Sequence, residues 1–150
     1  SKSISLSPRN PDAYFNRAMI YKKFSKDFEK TIRDLDAALY LLPLNTKYLK
    51  EKADILSKEM GNQKEAIKVY SEILSLDQNN TDIYVNRAIA YFADEQFNNG
   101  IQDISVAIEH EPFNSQLYLL RSKAYMALGK SKEASKDYFH AHRINPDLSN

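Results

Sequence analysis

Tyr14-Phe15-Asn16-Arg17-Ala18-Met19-Ile20-Tyr21 returns later in the chain as Tyr84-Val85-Asn86-Arg87-Ala88-Ile89-Ala90-Tyr91. The recurring step is Tyr-x-x-Arg-Ala-x-x-Tyr, and its small residue recurs most widely: Ala18, Ala53, Ala88 and Ser122 are separated by 35, 35 and 34 residues. A self-similar period of that length fits one helix-turn-helix unit, which must stack on its neighbours to bury an apolar face. Two further columns share the period. Thr31, Ala66, Gly100 and Ala134 form an early small-residue column in each second helix, and Ala38, Ile73, Ala107 and Ala141 form a late one.

Apolar residues at spacings of three and four run through almost the whole chain, while three glycines and five prolines are too few for a turn-rich sheet protein. The fold class is all-α. Pro8, Pro43, Pro112 and Pro146 mark the ends of units, with Gln78 at the remaining boundary, because proline cannot continue a helix. Within a unit, small residues such as Ala88 and Gly100 let two helix backbones approach, and Tyr91, Ile104 and Ala107 fill the seam. The first unit has one extra residue in its turn, Lys22 to Phe28. Gly61 and Gly129 occupy the turns of the second and fourth units, where left-handed backbone costs glycine little, and Glu95 takes that place in the third, predicting a tighter or strained turn.

The pattern of a large residue, a small one four later, an aromatic three beyond, and Ala, aromatic, Ala, Pro in a second helix resembles the tetratricopeptide repeat. Four units match in register, at 11–45, 46–80, 81–114 and 115–148, covering nearly the whole chain. The resemblance implies a right-handed superhelical solenoid of eight helices in antiparallel pairs. Residues 1–10, with Ile4 and Leu6 before Ser7-Pro8-Arg9-Asn10, read as the end of a preceding repeat, and the last unit lacks a polar capping helix. The expectation is a fragment of a longer array.

Charge names no partner: 21 Lys and Arg face 20 Asp and Glu in 150 residues, giving +1. It is segregated, however. Residues 81–114 hold Arg87 against six acidic residues, and 115–150 hold six basic against three acidic. The absence of cysteine excludes disulfides and thiolate chemistry and fits an intracellular, cytoplasmic protein. No apolar run is long enough to span a membrane, and the N-terminus has no signal-peptide core.

The resemblance implies that first helices line a concave side, making their outer stripe the candidate ligand surface. Counted from each small residue, that stripe includes Phe15, Asn16, Met19, Lys47, Lys50, Val85, Asn86, Ile89, Phe92, Leu119, Leu120 and Lys123, with Met126 one step further. Its apolar members predict anchors for a partner segment. Asn16 and Asn86 carry both a donor and an acceptor, suited to gripping the main chain of an extended peptide.

Tyr-x-Asn-Arg-Ala also resembles the step in tetratricopeptide domains that hold an acidic chaperone tail in a carboxylate clamp. Lys50 matches the first lysine in one register and Lys47 in the other. Asp54 and Glu51 then stand where an amide and an arginine belong, and Gln116 and Leu120 replace Lys and Arg. A carboxylate there meets repulsion instead of donors. Chaperone-tail binding is thus a minor alternative.

No phosphate loop, His-Glu-x-x-His or nucleophile elbow is present, and His140 and His142, two apart on a helix, point different ways. His110, Asp34 and Asp36 read as ordinary surface residues. The chain is therefore expected to be a non-enzymatic adaptor without cofactor or metal, binding another protein through its groove and neither nucleic acid nor membrane. The second reading is an architectural segment that self-associates through its ends or convex face, near Phe139 and Ile144.

Overall fold

The computed structural model describes residues 9–149. Most of the expected preceding repeat end, residues 1–8, lies outside them. The described residues form eight α-helices: α1 Pro11–Ile20, α2 Phe28–Leu41, α3 Thr46–Asp54, α4 Gln63–Leu76, α5 Thr81–Ala93, α6 Phe97–His110, α7 Ser115–Ala127 and α8 Ser131–Ile144. They fall into two compact units, Ser1–Leu76 and Asp77–Asn150. In the first unit α1 packs on α2, α2 on α3 and α3 on α4; in the second α5 packs on α6, α6 on α7 and α7 on α8.

Every first helix begins at an asparagine. The side chains of Asn10, Asn45, Asn80 and Asn114 accept from the backbone N–H of Ala13, Tyr48, Ile83 and Gln116 at 3.2, 3.1, 3.3 and 3.2 Å, satisfying a donor that the helix cannot use. At the corresponding point after α8 stands Leu148, which folds into a cluster with Tyr118, Leu119 and Ala141. Part of the last pair is therefore covered by the chain itself, although Phe139 stays 63% exposed.

The small-residue columns do what packing requires. Ala18, Ala53 and Ala88 are wholly buried, and Ser122 donates its hydroxyl to the Ala134 carbonyl at 2.8 Å. Gly100 serves a particular neighbour: a methyl group there would overlap the ring of Phe92, which lies between α5 and α6. The helix gives up about 0.5–1 kcal/mol of propensity to let that ring in.

The arginine of the recurring step ties three of the four pairs together. Arg17 holds Asp34 through two hydrogen bonds of 2.7 Å, and Arg121 holds Asp137 through bonds of 2.7 and 2.8 Å. Arg87 does the same with Asp103 and lies 5.8 and 5.7 Å from the ring centroids of Tyr84 and Tyr91. Arg121 sits in the same way between Tyr118 and Tyr125. Asp34 is thus buried beneath a guanidinium, which corrects its reading as a surface residue. The second pair has Lys52 and Val69 at these positions, and Lys52 reaches across to Asp36 of α2 at 2.7 Å.

The extra residue of the first unit is stored as a π-helical turn, Tyr21–Ser25, at the end of α1. The second pair has the same device at Ile55–Glu59, so the surplus is shared by both pairs of the first compact unit. A single inserted residue in a helix is accommodated this way because one widened turn leaves the flanking α-turns in register. After the turn each pair needs a left-handed residue. Gly61 and Gly129 supply it at φ 66 and 73°, while Lys26 and Glu95 adopt φ 50 and 60° as strained non-glycine residues.

Candidate partner-binding surface

The stripe on the first helices divides into buried and accessible residues. Phe15 is buried, stacked on Tyr48 of α3 with centroids 4.8 Å apart, and the Lys47 ammonium lies 4.7 Å from its ring centroid. Leu119 is buried against Leu148 and Ala141. Both serve as packing between helices, so neither offers an exposed anchor. Val85, Phe92 and Leu120 are half-buried around Ala88, Ile104 and Leu117, and Met19 is half-buried against the α1–α2 core.

Accessible positions remain in both units. In the first, Asn16, Lys47 and Lys50 are exposed. In the second, Ile89 is 42% exposed and Met126 59%, beside half-buried Asn86 and exposed Lys123. The sequence pattern ranks these poorly because position on a helix face sets burial against the partner helix only. A second neighbour, such as α3 beside Phe15, decides the rest.

Two lysines of the first unit are engaged internally. Lys50 pairs with Asp54 at 2.7 Å, and Lys22 pairs with Glu51 at 3.0 Å. Asp54 also accepts from the hydroxyl of fully buried Tyr70, whose pKa is raised chiefly by burial and then by that hydrogen bond. Burial and a 2.7 Å hydrogen bond to Asp12 push the Tyr48 phenol up to about 12. Hydrogen bonds to their aspartates hold Arg17, Arg87 and Arg121 above the usual arginine value despite desolvation.

The histidines have structural partners. Thr81 Oγ1 lies 2.8 Å from His110 Nδ1, and His142 Nδ1 lies 2.9 Å from the Tyr138 carbonyl, which it meets as a donor. Among the described residues no group of three or more His, Asp or Glu is arranged to hold a metal, and no helix is long and apolar enough to cross a membrane.

A tetratricopeptide-repeat family model matches residues 51–80 and 115–148. Serine/threonine-protein phosphatase 5 of Rattus norvegicus is 34% identical over 82 residues, 55% of this chain and 16% of that protein. RNA polymerase II-associated protein 3 of Mus musculus is 34% identical over 124 residues, 82% of this chain and 17% of that protein. DnaJ homolog subfamily C member 7 of Mus musculus is 28% identical, with 92% and 31% covered. The chain thus spans less than a third of the length of these relatives. A solved structure of MamA, residues 41 to the end, from Desulfovibrio magneticus RS-1 superposes with a TM-score of 0.83 at 17% identity, covering 95% of this chain and 79% of that one. It shares the fold.

Proposed function

Because this chain belongs to the tetratricopeptide-repeat family, whose stacked helix pairs are protein-interaction scaffolds, we propose that it holds a segment of a partner protein against the exposed faces of its first helices. The observation that carries this reading is the exposure of Ile89 on α5 and Met126 on α7, at 42% and 59%. Val85 and Leu120 of the same two helices pack into one cluster with Ala88, Ile104 and Leu117. Apolar side chains on a rigid floor supply anchoring area at little entropic cost, and Asn86 and Lys123 beside them can fix a peptide main chain or an acidic group.

A random-peptide display library selected against the purified chain tests this. Enriched peptides should bind at least ten-fold more weakly to Ile89→Glu with Met126→Glu, while the urea midpoint stays near that of the parent. Leu119 is unsuited to this experiment, because a buried glutamate would unfold the pair. Unchanged affinity of the double variant would overturn the proposal.

Self-association through the last helix has one observation in its favour, the 63% exposure of Phe139. Sedimentation over a range of concentrations, with Phe139→Glu as control, separates it from peptide binding. The chaperone-tail alternative is disfavoured by the ion pair with Asp54 that already occupies Lys50, and by Glu51, a carboxylate where that clamp has an arginine.

A further inference from the structure

Where α1 runs into its π-helical turn, Met19, Lys22, Lys23, Lys26, Phe28 and Glu59 line a cleft of ≈ 420 Å³. Its floor is apolar, since Met19 and Phe28 both pack onto the α1–α2 core. Its rim is cationic, with three ammonium groups against one carboxylate. Lys22 is partly neutralised by Glu51. Lys23 lies 5.3 Å over the ring of Phe24, and neither it nor Lys26 forms an ion pair among the described residues.

Two backbone features meet at this cleft. The π-helical turn aims Lys22 and Lys23 from a widened backbone, and Lys26 holds a left-handed φ of 50° where the second and fourth pairs use glycine. The fourth pair makes the same connection with neither device, passing from α7 through Gly129 to α8. Among the four pairs this turn alone combines a π-helical turn with a non-glycine left-handed residue, and that combination, together with a cleft and lysines outside any ion pair, indicates a surface shaped for a ligand.

We propose that this cleft docks an acidic segment of a partner protein, seating one aliphatic or aromatic side chain on Met19 and Phe28 while its carboxylates meet Lys23 and Lys26. Charge complementarity selects the occupant: a basic or neutral segment gains nothing from the rim, and a purely acidic one leaves the floor wet. The proposal rests on the interaction reading above but uses a surface separate from Ile89 and Met126, so each can fail alone.

The probe is a fluorescent synthetic peptide of Asp and Glu around a single Leu, titrated by anisotropy into the full chain. Controls are the same peptide with Gly for Leu and a Lys-substituted version. Saturable binding is expected, weakening as salt rises and about ten-fold or more in Lys23→Glu with Lys26→Glu, with no effect of Ile89→Glu. Amide shifts should map to Met19 and to residues 22–28. Lys26→Gly should unfold at higher urea yet bind the peptide less tightly, a combination that a purely structural lysine would not give. Equal binding to the Lys23/Lys26 variant, equal binding of the Gly peptide, or shifts elsewhere would overturn the proposal. So would binding of vesicles of phosphatidylcholine with phosphatidylserine, dependent on the same two lysines, in the absence of peptide binding.

Discussion

Arg87 grips Asp103 through two parallel hydrogen bonds of 2.8 Å, Nε to Oδ2 and Nη2 to Oδ1, joining the two helices of the third pair. Asp103 is only 4% exposed, so that guanidinium stands in for the water its carboxylate has lost. Arg87→Ala should destabilise the chain by about 3 kcal/mol, since it leaves a buried carboxylate unpaired. Arg87→Met combined with Asp103→Val, the residue that Val69 supplies in the second pair, should cost less than half as much. Urea unfolding of both variants checks this, and a double variant as unstable as the single would show that the pair contributes more than mutual compensation.

Gly100 and Phe92 are coupled by volume. Gly100→Ala should destabilise by about 1–3 kcal/mol although alanine favours helix, because the ring has to leave its seat. Phe92→Leu should rescue most of that loss. A double-mutant cycle by denaturation reads the coupling, and additive effects would show that the ring relaxes freely.

The arginine pairs and the Phe92 seat show how far the residues alone could be read. The step Tyr-x-x-Arg-Ala and the small-residue columns led directly to four helix pairs, because backbone approach forces small side chains into periodic places. The aspartates that answer the arginines follow the same period at Asp34, Asp103 and Asp137, but their depth depends on a bidentate partner that helix-face counting does not show. The asparagine caps recur at Asn10, Asn45, Asn80 and Asn114 with the same period and are equally legible. Phe15 and Leu119 were illegible for a different reason. Their burial comes from Tyr48 and Leu148, residues of other elements whose packing a single helix's periodicity leaves open.

Glu95 pays a conformational cost at φ 60° that Gly129 avoids. Glu95→Gly should stabilise by about 0.5–1 kcal/mol, the relief of left-handed strain exceeding the added flexibility of the unfolded chain. Gly129→Ala should destabilise by about 1 kcal/mol. Thermal unfolding of the two variants should therefore shift in opposite directions, and a shared direction would contradict the strain argument.

Alkaline pH should weaken the first unit through its buried phenols. Tyr48 titrates from an ordinary value of 10.0 up to about 12 in the folded chain, so between these values the unfolded chain has lost a proton that the folded one keeps. The stabilisation is complete below pH 10 and disappears as pH rises through about 12. Tyr70 is raised in the same direction. Tyr48→Phe should flatten part of the fall in stability with pH above 10, as followed by urea midpoints and tyrosinate absorbance. A fall as steep as the parent's would place the linked proton elsewhere.

The π-helical turn Tyr21–Ser25 gives the sharpest test of what the fold requires. Arg17 and Asp34 are 17 residues apart, whereas Arg87 and Asp103, like Arg121 and Asp137, are 16 apart and pair with the same geometry. One residue of the first pair is therefore surplus to the ion pair and to the helix turn. Deleting Ser25 should convert the widened turn into ordinary α-helix, preserve the helical circular dichroism, and keep stability within about 1 kcal/mol of the parent. Deleting Ala93, in a pair with no surplus, should cost about 3 kcal/mol or more by pulling Arg87 out of register with Asp103. The Ser25 deletion should also re-aim Lys26 and lose the acidic peptide, giving a protein that folds as well and binds worse. Equal damage from the two deletions would mean that the turn is a structural necessity.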